Sequence, residues 1–179
     1  MTEEYLKENT PLDDNIDSKL LRTSMREGQD IYIRDLIGSG IYDELCTQII
    51  ADPDMSNYAN NKTLLTQYIQ PCLKYYILYE CAQTLSFQLV NKGIVTRNSE
   101  WQSPADINSI TALMTKWRDK GEYYAKRLQD YLCENHTTYP LYYNPGSAAD
   151  TIHPRSTFLY SGLYLGDDPE NSRGYDKPV

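Results

Sequence analysis

Apolar positions recur along this chain at three- and four-residue intervals, the period of a helix with one buried face. The first run opens at Ile16 and passes through Leu21, Met25, Gly28, Tyr32 and Leu36 before Gly38 closes it. Gly28 weakens this run locally and predicts a kink or a close helix contact. A shorter helix restarts at Ser39 or Gly40, carries Ile41, Leu45, Ile49 and Ile50, and stops at Asp52-Pro53-Asp54. The third run covers residues 63–90 and is the most apolar part of the chain. Pro71 falls inside it and, lacking an N–H, should kink the helix or start a new one. From Cys72 to Tyr79 the pattern is hydrophobic nearly all round, which marks a helix covered on most sides and so the central element. Asn91-Lys92-Gly93 supplies the expected stop, with Gly93 in the left-handed position that ends helices. Residues 94–102 read as a connector with room for a short extended piece.

A fourth run has the most regular seam. Ile107, Ile110, Met114, Trp117, Gly121, Tyr124, Leu128 and Tyr131 alternate spacings of three and four, a heptad pattern. Ser103-Pro104-Ala105-Asp106 is a suitable start: Ser caps, Pro occupies the first turn and Asp suits the positive end of the dipole. The charges on its other face balance, as expected of a solvated face with pairs four residues apart. The pattern predicts an all-α protein. Residues 1–15 are an acidic, loosely docked lead-in, residues 16–136 a bundle of about four helices, and residues 137–179 a long extended arm.

That arm has no helical period. It is rich in Pro, Gly and Tyr, yet too aromatic for a solvated disordered tail. Residues 156–165 (Ser-Thr-Phe-Leu-Tyr-Ser-Gly-Leu-Tyr-Leu) form a short strand-like segment. An aromatic arm too long to be a loop needs something to lie on, either its own bundle or a neighbouring chain. A strand without a sheet of its own favours pairing with another chain. The candidate subunit or partner interface is therefore Tyr139, Tyr142, Tyr143, Phe158, Tyr160, Leu163, Tyr164 and Leu165.

Charge narrows the function classes. The chain has 179 residues and a net charge of −8. Extensive phosphate-backbone binding calls for the opposite sign. No stretch approaches the roughly 18 apolar residues that span a bilayer. The acidic N-terminus is the reverse of a signal or transit peptide, so first use in a cytoplasm is expected. Cys46, Cys72, Cys81 and Cys133 lack metal or redox spacing and read as small apolar residues. Seventeen tyrosines against two Phe and two Trp suit surfaces buried between subunits, where a large ring with a wettable hydroxyl is an advantage.

Candidate chemistry is sparse. Asp13-Asp14-Asn15-Ile16-Asp17 has the spacing of a magnesium-binding carboxylate motif, but it precedes its helix and no second acidic motif answers it. Helix capping explains it better. Asp167-Asp168-Pro169-Glu170-Asn171 lacks the spaced ligands of a calcium loop. His136 and His153 lie at or beyond the end of the last helix, away from the rigid elements that general-base geometry needs. Lys116, Arg118, Lys120, Lys126 and Arg127 form a stripe largely cancelled by Asp119, Glu122 and Asp130. No catalytic residue, cofactor site or metal site is assigned, and an enzyme is not expected.

The order of these segments carries a resemblance. Ile31-Tyr32-Ile33-Arg34-Asp35-Leu36-Ile37-Gly38 leads into Ile41-Tyr42-Asp43-Glu44-Leu45. Ile69-Gln70-Pro71-Cys72-Leu73-Lys74-Tyr75-Tyr76, Glu80 and Asn91-Lys92-Gly93-Ile94 follow, then Ala125 and Tyr131-Leu132, and finally Ser161-Gly162-Leu163-Tyr164-Leu165-Gly166. In layout the chain resembles the head-tail connector (adaptor ring) proteins of tailed bacteriophages, especially those of crAss-like phages, with Ile37-Gly38 where their pattern has Leu-Gly. The resemblance implies a structural subunit of the virion neck, assembled in the host cytoplasm. It would form a homo-oligomeric ring, commonly of about twelve copies, that contacts the portal protein and neighbouring connector or tail proteins. DNA would pass through the lumen without being read, and the arm would lock subunits together. The alternative is a soluble helical binding or regulatory module acting through the heptad face of residues 104–135.

Overall fold

The structure is a computed structural model that describes residues 1–90, 93–96, 106–146 and 150–155. It is the all-α bundle that the periodicity predicts. α1 (Glu3–Asn9) is followed by α2 (Ser18–Glu27), a π-helical turn at Gly28–Ile33 and α3 (Arg34–Ala51). α4 (Ala59–Thr63) runs through a second π-helical turn, Leu64–Ile69, into α5 (Gln70–Ser86). α6 (Ile107–Glu134) is the longest helix. A short 3-10 turn at Pro140–Tyr142 begins the arm.

α5 is the central element, as its all-round apolar pattern implies. Cys72, Leu73, Tyr76, Ile77, Leu78 and Cys81 are all buried. α6 lies antiparallel to it, with Tyr68 stacked on Tyr131 near one end and Tyr75 stacked on Tyr124 further along. Where they come closest, Gly121 faces Tyr76. A Cβ on Gly121 would stand 3.0 Å from the ring. Three of the eight seam residues are buried within the chain, Met114, Gly121 and Leu128. Ala125 and Leu132 take the deepest places between them, leaving Tyr124 and Tyr131 at the flanks. Ile107, at the start of the seam, is exposed. Gly28 makes the close helix contact expected of it, its Cβ position lying 3.1 Å from Ile77 and from Leu73.

Several local expectations change. The lead-in is docked: Leu6 of α1 is fully buried in the core, with Met1 and Leu12 packed on the same cluster. Pro71 stands in the first turn of α5, directly after a π turn that already departs from the α register, since the Gln70 N–H bonds back to Leu65. The π turn takes up the register change, so the helix continues past a residue with no N–H to give. The third run does not reach Val90. It ends at Ser86, and Phe87–Val90 (β1) pairs antiparallel with Gly93–Thr96 (β2), Phe87 opposite Thr96 and Val90 opposite Gly93. A short apolar run reads equally as helix or strand, and the β-branched residues that decide it lie in the second half. Gly93 thus opens a strand instead of closing a helix. α6 is capped by Asp106, whose carboxylate accepts from the Asn108 N–H, and Ser103 lies outside the described residues.

The Gly121 contact yields a test. Gly121→Leu drives a branched side chain into the Tyr76 ring and should destabilise the fold by about 1–3 kcal/mol, read as a lower urea midpoint. An unchanged midpoint would mean that α5 and α6 are not packed at this distance.

Candidate functional site

The arm and the break in the helix beneath it form the most elaborated local structure. Gly38 has φ 78° and ψ 160° inside α3, so the helix stops and restarts there. That conformation is essentially reserved for glycine. The break frees backbone groups that a continuous helix would have used, and the arm takes them. The Ser39 N–H donates to the Ile152 carbonyl at 2.9 Å, and the Ile152 N–H donates to Ser39 Oγ at 3.2 Å. The Arg155 N–H donates to the Asp35 carbonyl at 2.9 Å. Close approach needs small residues on both sides of Ser39. A Cβ on Gly38 would lie 2.9 Å from Pro154, and one on Gly40 would lie 2.8 Å from Pro145 Cα. Gly38-Ser39-Gly40 is thus a seat for two passes of the arm, residues 141–145 and 152–155.

Arg155 fastens the second pass to α6. Its guanidinium donates to Glu122 at 2.9 Å, and the Gln129 side-chain amide donates to its carbonyl at 2.7 Å. The other Glu122 oxygen accepts from the Tyr76 hydroxyl at 3.0 Å. Tyr76 in turn stacks face to face on Tyr32, centroids 4.2 Å apart, and the Tyr32 hydroxyl donates to Glu80. One polar path therefore joins the first π turn, α5, α6 and the arm.

Of the expected interface residues, Tyr139 and Tyr142 are placed in the chain's own core, 3% and 6% exposed. The Tyr139 hydroxyl donates to the Asn60 carbonyl at 2.9 Å, and its ring tilts against Tyr131. Tyr143 is 57% exposed and packs edge-on against Tyr142. Phe158, Tyr160, Leu163, Tyr164 and Leu165 lie outside the described residues. The first part of the arm therefore lies on its own bundle. Ser39, Gly40, Glu122, Gln129 and Arg155 were missed by the sequence reading. The pair of glycines around Ser39 was the available signal, since two glycines just past a helix stop allow close backbone approach.

The other candidates have structural roles. Asp17 caps α2 by accepting from the Lys19 N–H, and Asp13 accepts from the Asn15 N–H. His136 and His153 are exposed. Among the described residues, no group of three His, Cys, Asp or Glu side chains is arranged to hold a metal ion, and no helix is long and apolar enough to cross a membrane. On α6, Arg118 pairs with Asp119 and Lys126 with Asp130, while Arg127 lies over the Tyr68 ring.

Against known proteins, one family model matches, described as a family of unknown function (DUF6712), over residues 33–152. The chain belongs to this family. No curated protein and no solved structure matches it. The DUF6712 span begins at the end of the first π turn and ends at Ile152, the residue that bonds Ser39.

Two measurements probe the seat and the path behind it. Gly38→Ala should cost roughly 1–3 kcal/mol for backbone conformation alone, with further loss from the Pro154 clash. Limited proteolysis should then cut between residues 141 and 155 while helical circular dichroism persists. Undisturbed protection of the arm would contradict the seat. The second measurement is alkaline titration. Burial first, then Glu80 for Tyr32, and Cys72 followed by Glu122 for Tyr76, pushes these phenols far above their ordinary value. Burial also raises Tyr139 and Tyr142, and lifts Tyr42 to about 12. These rings contribute fully to stability below about pH 10, the unfolded phenol value. Above it the unfolded chain loses protons first, so stability falls as pH rises. Melting temperature should drop from about pH 10 upward, and tyrosinate absorbance should appear in two stages, exposed rings before buried ones. A single stage near pH 10 with a flat melting temperature would contradict the burial.

Proposed function

We propose that this chain is a structural ring subunit of a phage head-to-tail connector, bridging portal and tail around the DNA passage. The observation that carries the reading is where the residues of the resemblance fall in the fold. Gly38 of the Ile37-Gly38 pair is the break in α3, and Pro71 starts α5 after the second π turn. Tyr76 meets Gly121 at the centre of the bundle, and Tyr131-Leu132 closes α6. The residues that carry the resemblance are thus the joints of this fold and not only its apolar filling.

Three further features support it. The exposed apolar side chains Ile31, Ile50 and Ile107 lie on different helices, as befits a subunit with contacts on several sides. The anchored arm gives residues 156–179, with Phe158, Tyr160, Leu163, Tyr164 and Leu165, a fixed base from which to reach a neighbour. The net charge of −8 suits a channel along which DNA slides without sticking.

Native mass measurement and negative-stain images of the full-length protein test the proposal. The expected result is a closed ring of about twelve subunits. A chain that stays monomeric and also fails to cosediment with portal protein would overturn it. Removing residues 156–179 should leave a folded monomer, because the seat and Arg155 remain, and should abolish ring closure. Rings that form as readily without those residues would remove the arm from the assembly.

A further inference from the structure

α6 carries a cationic groove. Lys116 and Lys120 line an open groove of about 710 Å³ with Tyr75, Ala112, Tyr123 and Tyr124. Both lysines are exposed, stand one helical turn apart, and form no ion pair with a described residue. Lys120 Nζ lies 5.3 Å from the Tyr75 ring centroid, and Lys74, outside the groove lining, has its Nζ 5.2 Å from the same ring. Asp119, also in the groove, is engaged by Arg118 at 3.8 Å. Tyr123 is 68% exposed. In a chain of net charge −8 this is a local excess of positive charge over an aromatic floor. Such a surface favours a partner that presents carboxylates at a matching spacing.

The leader presents that spacing. Glu4 and Glu8 of α1 are exposed, one turn apart, and each stands about 160° round the helix from the buried Leu6. Neither forms an ion pair with a described residue, whereas Glu3 is held by Arg22 of α2 at 2.8 Å. At the helical rise, the two glutamates on α1 and the two lysines on α6 each repeat over about 6 Å. Asp13 and Asp14, also exposed, follow in the same leader.

Within one copy the two surfaces point apart. Met1 lines a small cavity together with Leu73 of α5, and α1 packs on α2. Gly28, directly after α2, faces Leu73 and Ile77. Tyr75, the α5 residue of the groove, stands about 160° round α5 from both of these. Leader and lysine groove therefore lie on opposite sides of the central helix. Complementary patches on opposite sides of one subunit make a head-to-tail contact, which closes into a ring or runs on as a filament.

We propose that α1 of one copy docks in the lysine groove of the next, with Glu4 and Glu8 against Lys116 and Lys120 and the Tyr123 ring covered. The inference rests on the assembly reading and names the faces that join its subunits. Each copy then uses its leader once and its groove once. The paired charges are exposed, so salt weakens the contact.

Carbodiimide coupling of the full-length protein tests it, because the reagent joins carboxylates to amines in direct contact. Unlabelled and nitrogen-15-labelled copies are mixed before coupling, and linked peptides are sorted by mass. The expected products join Glu4 or Glu8 to Lys116 or Lys120 between copies of different label, and they fade as salt is raised. Lys116→Glu with Lys120→Glu should abolish association, read as native mass, and so should Glu4→Lys with Glu8→Lys, with helical circular dichroism unchanged in both. Mixing these two variants should restore association, since each groove then meets a leader of opposite charge. Products confined to single copies, none between these residues, or unchanged association of either variant would overturn the docking. Wild-type rings without these products would overturn the docking and leave the assembly reading standing. The products in open oligomers that never close would support the docking and count against the ring.

Discussion

The fold depends on how closely α6 approaches the Tyr76 ring. Gly121 is the only residue type that permits this approach, since any Cβ would meet the ring edge at 3.0 Å. From that position Tyr76 does three jobs at once. Its face stacks on Tyr32 of the first π turn, its body fills the centre of the bundle, and its hydroxyl reaches Glu122. Glu122 then has one oxygen left, and Arg155 uses it. A buried phenol keeps its hydroxyl satisfied, so the ring's depth and the arm's anchor are set by the same side chain.

The parts of this architecture that were legible in the sequence are those governed by period and by single punctuating residues. The helix of α6, the all-round apolar character of α5 and the stop at Gly38 follow from local rules and hold in the structure, while only Met114, Gly121 and Leu128 of the α6 seam are buried. The parts that were not legible depend on partners distant in sequence. Leu6 looks like one apolar residue in an acidic leader, and only the core cluster it joins gives it a fixed place. Phe87, Leu89 and Val90 continue a helical spacing, but Gly93–Thr96 pairs with them as a strand. The arm seat is the largest gap. Two glycines around Ser39 indicate close approach, but nothing local says that Pro145 and Pro154 make it. Tyr139 and Tyr142 were read as surface for a neighbour because tyrosine composition does not distinguish an internal contact from an external one.

These placements sharpen the division of labour along the chain. The described residues of the arm, up to Arg155, are held by the chain itself, through backbone bonds at the helix break and side chains on α6. The aromatic residues beyond it form the part of the arm on which the assembly proposal rests. Such a separation lets a subunit fold completely before it meets a partner. The Tyr76 and Tyr139 hydroxyls each find a polar partner inside the chain, Glu122 and the Asn60 carbonyl.

The end of the DUF6712 span returns to the helix with which it nearly begins, Ile152 bonding Ser39, and Arg155 just beyond it bonding Asp35. Residues 152–155 are therefore tied, within a few residues of the point where the span begins, to the start of α3. Pulling on the chain beyond Arg155 would load α3 at its break together with α6, which holds Arg155 through Glu122 and Gln129.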